Sequence, residues 1–358
     1  MSVSERIRGL NRAVQQGRKR LDLLRATWVD LIYGGSEHAV KGVPYLRDGL
    51  SLQRYMAMPV LAVAPAALAG IYFFGWRTLV VIVVSYFFGG LVDLAFSLAR
   101  GRTLNEGLLV TGILYALLLP PWVPLWLVAL GMSVAILSRE VFGGLGQNIF
   151  NPALVGKAFL IVIVPAIMTT HWAQPYWGGW GGFVHYAPQA VTALTPLIVA
   201  GQNPVGTPLW QLLVGDVPGA LGATSGLLML FAGLLLLFTR TIDWRISMVM
   251  IVTVGVLEWL LGMTMPERFG QGGWFLQILS GSLLFAAFLN ATDPVTSPMT
   301  RRGKWIYAIL IGMLVVLLRG LRGDPEGVTF SILIANAFVP LLDRWTLPRS
   351  FGGQGGSA

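Results

Sequence analysis

Ten apolar runs divide this chain. They lie near residues 56–76, 79–99, 107–120, 124–138, 153–169, 219–238, 246–263, 274–290, 304–318 and 327–342. The runs are continuous rather than alternating, so they predict helices and not the strands of a β-barrel. Crossing a hydrocarbon layer of roughly 30 Å takes about 20 helical residues, and several runs reach that length. Others have only 14–16 residues and are flanked by Gly and Pro. Such short runs predict broken or re-entrant helices that line a protected site. The expected fold class is therefore an all-α polytopic membrane protein with about ten transmembrane helices.

Composition agrees. Of 358 residues, 55% are hydrophobic and 11% charged, against about 25% charged in a soluble domain; mean hydropathy is +0.70. Three parts are expected: a basic extension over 1–53, a membrane domain over 54–344 and a tail over 345–358. The extension, "SERIRGLNRAVQQGRKRLDLLRATW", has no apolar core or cleavage pattern of a signal peptide. It reads either as a helix on an anionic membrane surface or as a solvated tail. With the N-terminus inside, 21 of the 25 Lys and Arg residues fall in inside segments; Arg77, Arg268, Arg319 and Arg322 fall outside. Positive charge collects on the cytoplasmic side, so both termini are expected there. The net charge of +9 then reports topology rather than nucleic-acid binding. Segment 170–218 has no Lys or Arg and faces outward; its "HWAQPYWGGWGGF" suits an interfacial aromatic belt. No cysteine is present, which excludes Cys-ligated iron–sulfur clusters, disulfides and c-type haem attachment. His38, His171 and His185 lie outside the apolar runs, and no metal site is expected.

An internal echo links "GGLGQNIFNPALVGKAFLIVIVPAI" (143–167) with "RGLRGDPEGVTFSILIANAFVPLL" (319–342). Each would close a five-span half. Five is odd, so the halves would be inverted relative to each other, as in many transporters. The first echo also carries the densest chemistry. Gly143, Gly144 and Gly146 let backbone approach a ligand. Asn148 and Asn151 are three apart and offer donors and acceptors suited to a heterocycle edge; equally, Asn151 followed by Pro152 reads as a helix cap. "NATDPVTSPMTRRGKW" (290–305) places Asp293 and several hydroxyls at a span end, beside basic residues that also read as a topological anchor. Charges in or near spans are costly and often functional: Asp93, three residues from Gly90 and four from Gly89, Glu106, Glu140, Lys157 and Glu258. They read as proton or cation handling, or as interhelical polar contacts.

"NEGLLVTGILYALLLPPWVPLWLVALG", "REVFGGLGQNIFNPALVGKAF", "GDVPGALG", "ATDPVTSPMTRRGKWIYAILIGMLVVLLR" and "PEGVTFSILIANAFVPLLD" resemble the B subunit of the sodium-translocating NADH:quinone oxidoreductase (NQR), from about Arg47 to Arg344. The D subunit of the RNF complex shares several of them. The resemblance implies flavin-based electron transfer in a bacterial inner membrane. In that family an outward threonine carries FMN through a phosphoester bond; here the corresponding run is Gln189–Thr195, with Thr192 the first hydroxyl residue and Thr195 the flavin-bearing one. The family motif has Asp and Gly where this chain has Gln189 and Ala190, and a small residue where it has Leu194. The Asn148/Asn151 pair matches the family's noncovalent riboflavin site on the inner side. Gly89, Gly90 and Asp93 match a quinone-associated segment, with Phe159 nearby. Electrons would pass from FMN to riboflavin to quinone, coupled to Na⁺ or H⁺ movement through Asp93 and Glu106. With no cysteine here, the iron–sulfur and NADH-oxidising chemistry is expected on partner subunits, and no catalytic residue acts in this chain alone. The rival readings are an RNF D-type subunit of a ferredoxin:NAD oxidoreductase and a cofactor-free channel or transporter.

Overall fold

The computed structural model describes residues 52–101, 107–188, 193–202, 207–266, 268–269, 273–322 and 327–347. The basic extension through residue 51, Glu106, Gln189, Thr192 and the tail from 348 onward lie outside the described residues. Every regular element among the described residues is helical. Leu52–Phe74 (α1), Arg77–Arg100 (α2), Gly107–Leu117 (α3), Leu125–Val141 (α4), Pro152–Ile163 (α5) and Pro165–Thr170 (α6) come first. Pro196–Gln202 (α7) and Leu209–Val214 (α8) lie in the loop region that follows. Gly226–Phe238 (α9), Trp244–Thr264 (α10), Trp274–Leu279 (α11), Leu283–Phe285 (α12, continued by a π turn over Ala286–Asn290), Arg301–Arg322 (α13) and Gly327–Thr346 (α14) complete the chain. All ten apolar runs coincide with helical segments. Five are long and apolar enough to cross a membrane: Tyr55–Phe74, Arg77–Arg100, Trp244–Thr264, Arg301–Gly320 and Gly327–Thr346. The protein is a polytopic membrane protein.

The short elements end for local reasons. α3 stops before Pro120, Pro121 and Pro124, and Pro124 has the extended backbone that precedes α4. Pro165 cannot donate a backbone bond, and the chain breaks at Val164 between α5 and α6. α11 stops at Ser280, where Gly281 and Ser282 both take positive φ, 66° and 60°. The run over 219–238 is helical only from Gly226, capped by the Ser225 hydroxyl. Its first residues instead form a buried turn: Leu221 N–H donates to Leu119 O at 3.1 Å and Gly222 N–H to Leu117 O at 2.8 Å. Two irregular segments thus satisfy each other's backbone at membrane depth, as hydrocarbon surroundings require.

The helices pack as two corresponding sets. In the first, α2 lies along α4, α4 along α5, and α2 along α3; in the second, α10 lies along α13, α13 along α14, and α10 along α11. The sets meet where α1 packs on α9 and α5 on α14. The start of α1 lies at the end of α9, with the Tyr55 hydroxyl donating to Thr241 O at 2.8 Å, so these counterparts run in opposite directions. Segment 170–188 packs on the α1–α2 turn, where Trp76 N–H and Arg77 N–H donate to His185 O and Tyr186 O.

Close helix approach in the first half relies on small residues. A Cβ at Gly156 of α5 would sit 2.6 Å from Gly131 O of α4 and 2.9 Å from Ala135 Cβ. Gly156→Ala should therefore lower stability by about 1–3 kcal/mol, read as a fall in thermal midpoint of the detergent-solubilised protein. Gly90→Ala is the control: its methyl would meet Leu108 at 3.6 Å, and the midpoint should stay or rise.

Candidate functional site

Two cavities lie at opposite ends of the bundle, each beside an interrupted helix. The first is at the end that carries Arg100, Arg139, Arg240, Arg245, Arg301, Arg302, Lys304 and Arg344. It has a volume of about 60 Å³ and is lined by Gly107, Thr111, Arg139, Asn148, Asn151, Thr292 and Asp293 among others. The two chemistry-bearing stretches, 139–159 and 290–305, therefore meet in one place. Asn151 joins them. Its Oδ1 accepts from Ala153 N–H (3.1 Å) and Leu154 N–H (3.4 Å) and so caps α5. Its Nδ2 donates to Asn290 O at 3.3 Å and faces Asp293 Oδ2 at 3.5 Å. Its backbone N–H donates at 3.2 Å to the Asn336 amide oxygen on α14, and that amide also meets the Tyr307 hydroxyl at 2.6 Å. The cap and the site are thus the same residue. Asn148 donates to Phe150 O at 3.2 Å, and its buried Oδ1 has no partner.

Asp293 sits in the connection between the π turn and α13. Burial pushes its carboxyl above the ordinary carboxylate range, opposed by hydrogen bonds from Val295 N–H and the Thr296 hydroxyl. Arg139 is the cation of this cavity. It is 1% exposed and its Nη2 binds Asp93 Oδ1 of α2 at 2.7 Å, with Asp93 fully buried. Arg139 Nε reaches Glu140 at 3.2 Å, and Glu140 is held in turn by Arg100 at 3.2 Å. Four charges of alternating sign lock α2 to α4. Arg139 Nη1 is left without a hydrogen-bond partner.

The second cavity, about 30 Å³, lies at the opposite end, beside the break between α11 and α12. Trp172, Thr195, Thr224, Ser280, Gly281 and Ser282 are among its walls. Three of these bring buried polar atoms with no hydrogen-bond partner: Trp172 Nε1, Thr195 Oγ1 and Ser280 Oγ. An unsatisfied buried polar atom costs about 1–3 kcal/mol, and three facing one space indicate a site shaped for a polar guest or for water.

The sequence-expected residues separate accordingly. Asn148 and Asn151 line the first cavity and Thr195 the second. Gly143, Gly144 and Gly146 take φ of 122°, 101° and 90° and shape the turn after α4, while Leu145 supplies its wall contact. Gly89 is packed against Met132 and Leu108, Asp93 is in the ion pair, and Phe159 is a half-buried residue packed on the core from α5. Sequence reasoning missed three members. Arg139 reads as one more topological cation, Trp172 as one more belt residue, and Ser280 as an ordinary loop hydroxyl. A span-end Arg preceding a Gly-rich turn was the one available signal.

The sequence profile of the NQR2, RnfD, RnfE family matches residues 39–352. The chain is 36% identical to the D subunit of the ion-translocating oxidoreductase complex of Halorhodospira halophila, covering 86% of this chain and 94% of that one. It is 36% identical to the D subunit of the proton-translocating ferredoxin:NAD(+) oxidoreductase complex of Clostridium ljungdahlii, covering 87% and 96%. It is 32% identical to the B subunit of the Na(+)-translocating NADH-quinone reductase of Chromohalobacter salexigens, covering 88% and 87%.

The buried pair sets a stability test. Asp93→Leu removes the shorter of the two carboxylate contacts of the buried Arg139 guanidinium and should cost about 3–5 kcal/mol, read by chemical unfolding in detergent. Asp93→Leu combined with Arg139→Met should recover most of that loss, because both charges then leave together.

Proposed function

Because the chain belongs to the NQR2, RnfD, RnfE family, we propose that it is a membrane electron-transfer subunit of an ion-translocating oxidoreductase complex, with an outward-facing FMN on Thr195 and a second, noncovalent flavin in the Asn148/Asn151 cavity. The observation that carries this reading is the Thr195 hydroxyl. It is buried and unpartnered in a cavity it shares with two further unpartnered polar groups, Trp172 Nε1 and Ser280 Oγ. An indole N–H and a hydroxyl suit the oxygens of a phosphate ester, so the residues present fit a flavin phosphate at Thr195. In the other cavity, Asn148 Oδ1 is a free acceptor and Arg139 Nη1 a free donor. Together they match a heterocycle edge that presents one donor and one acceptor, as the flavin pyrimidine ring does.

The flavins would supply one-electron and two-electron redox chemistry; the protein supplies position and polarity. Trp172 and Ser280 hold the phosphate end at the outward cavity. Asn148 fixes orientation at the inward one, and Arg139, pinned by Asp93, offers a positive charge that favours an electron-rich guest. Asn151 keeps α5 and the Asp293 segment in register, so it acts by holding the wall. On this reading electrons leave to a quinone, as in an NQR-type complex, coupled to Na⁺ or H⁺ transfer, while partner subunits carry the iron–sulfur and NADH chemistry. The two relatives that are D subunits, matched over 94% and 96% of their own length, favour an RNF-type assembly as the second reading. Quinone bound to the purified complex supports the first, and its absence with ferredoxin-linked activity supports the second.

Thr195→Val decides the covalent site. It removes an unpartnered buried hydroxyl, so stability should hold or rise. The wild-type chain should show in-gel flavin fluorescence and the mass of one flavin phosphate; the variant should lose both and keep the extractable flavin. Asn148→Leu should do the reverse. A wild-type chain with neither covalent mass nor extractable flavin, taken from cells that make the flavin transferase, would overturn the reading.

A further inference from the structure

Beside the Asn148/Asn151 cavity lies an open basin of about 580 Å³, lined by Arg240, Asp243, Trp244, Arg245, Met299 and Lys304 among others. Tyr55, Thr241 and Thr292 wall both spaces. Three cations face one acid. Asp243 is spent on two of them: Lys304 Nζ at 2.9 Å and Arg245 Nη1 at 3.2 Å. Desolvation alone would raise the Asp243 carboxyl, but Lys304 and Arg245 outweigh it and hold the group below its usual value, so the pairs stay ionised. Asp343, close by, accepts from Met299 N–H and Thr300 N–H. Arg240 is exposed and lines the basin, and its guanidinium makes no hydrogen bond or ion pair among the described residues.

Arg240 is unusual in its backbone as well. It takes φ of 55° after the end of α9, a conformation in which Gly or Asn is normally found. The chain places a cation where glycine would be unstrained. Next to the basin's lining residues Leu237, Trp244 and Lys304, apolar side chains are exposed. Phe238 is 93% exposed, and Trp244, Trp305 and Ile306 are each about half exposed, with the two indoles edge to face at 6.1 Å. Indoles at this level suit the boundary between headgroup and acyl chain.

We propose that this basin binds the phosphate of an anionic phospholipid from the inner leaflet, with Arg240 as its principal cation and the acyl chains along the Phe238, Trp244 and Trp305 rim. Lys304 and Arg245, half neutralised by Asp243, complete the positive wall. The chain's own first 51 residues are a poor occupant, because nine Arg and Lys there stand against five Asp and Glu. Bound here, the lipid phosphate would close the wide mouth in front of Tyr55 and Thr241, whose 2.8 Å hydrogen bond stands between the basin and the inner cavity. The proposal rests on the inward orientation of this end.

The test uses the full chain in its complex, delipidated in mild detergent and titrated with phosphatidylglycerol or phosphatidylcholine under native mass spectrometry. The wild type should bind phosphatidylglycerol preferentially. Arg240→Gln should weaken that binding about fivefold, the loss expected for one cation near a lipid surface. Arg240→Lys should retain it. Glutamine carries the same backbone cost as arginine, so folding does not confound the comparison. Unchanged lipid binding in Arg240→Gln overturns the proposal. So does loss of the lipid on adding millimolar inorganic phosphate, which would mark a site for a free anion. Orientation is read separately. Because the chain has no cysteine, Met299→Cys, at a position 86% exposed, gives a single thiol. An impermeant reagent should label it from the cytoplasmic side only. Labelling from outside refutes the inner-leaflet assignment and leaves the flavin content, measured by mass and fluorescence, to stand by itself.

Discussion

No water reaches the hydrocarbon core, so a backbone group released by a helix break must find its partner inside the protein. That constraint organises this molecule. Where α3 stops, Leu117 O and Leu119 O accept from Gly222 and Leu221 of another irregular turn. Where α11 stops, the Arg319 guanidinium donates to Gln277 O at 2.6 Å, and to Ser280 O and Gly281 O at 3.3 Å. Where α5 starts, Asn151 caps it and reaches across to Asn290 O. Each break is closed by a specific side chain or by another break. The space beside the closure is too irregular to fill with apolar side chains, and the cavities occur there.

The apolar runs made the number and placement of the helical segments legible, because continuous hydrophobicity is the signal a bilayer imposes. Prolines marked the interruptions at α3 and α5. The Asn151–Pro152 pair was readable as a cap, and its reach to Asp293 was not, since 142 residues separate them. The first seven residues of the 219–238 run, Gly-Ala-Leu-Gly-Ala-Thr-Ser, are mostly small and carry no charge, and they form a turn. Their fate is set by the carbonyls of Leu117 and Leu119, which no local pattern reveals. Arg139 shows the same limit. Counted along the chain it is equivalent to Arg100, yet Arg100 is a partly exposed rim residue and Arg139 is buried against Asp93. Trp172 sits in an aromatic stretch whose Trp177 and Trp180 are exposed, but it is itself 3% exposed.

The two sets of helices extend the echo beyond the stretch where it is visible in sequence. Gly90-x-x-Asp93 on α2 has a counterpart in Gly255-x-x-Glu258 on α10, and both acids are buried. Arg139 near the end of α4 corresponds to Arg319 near the end of α13, and Lys157 on α5 to Asn336 on α14; all four side chains are buried. Because α2 packs along α4 as α10 packs along α13, an acid and a guanidinium occur on equivalent helices of each half. Inversion puts them at opposite ends. The first cavity borders α3 and the second the α11–α12 break, which are the third elements of their halves. One architectural unit, used twice in opposite senses, therefore yields one cavity at each end.

The duplicated unit does not give duplicated chemistry, and the difference bears on how each cavity retains a guest. The Asn148/Asn151 cavity is lined by Arg139 and Asp293, charged groups that suit the noncovalent polar guest proposed there. The Thr195 cavity is lined by neutral groups: an indole N–H and the hydroxyl residues Thr195, Thr224, Ser280 and Ser282. The Arg319 guanidinium is turned onto the carbonyls of the helix break and is absent from the cavity wall. Neutral donors bind a phosphate more weakly than charged ones. On the proposed reading, a bond to the protein would offset that weakness. Among the described residues leading into α7, the Thr195 hydroxyl is buried and without a competing hydrogen bond. On the proposed reading, the tethered flavin sits at the neutral end and the exchangeable one at the charged end.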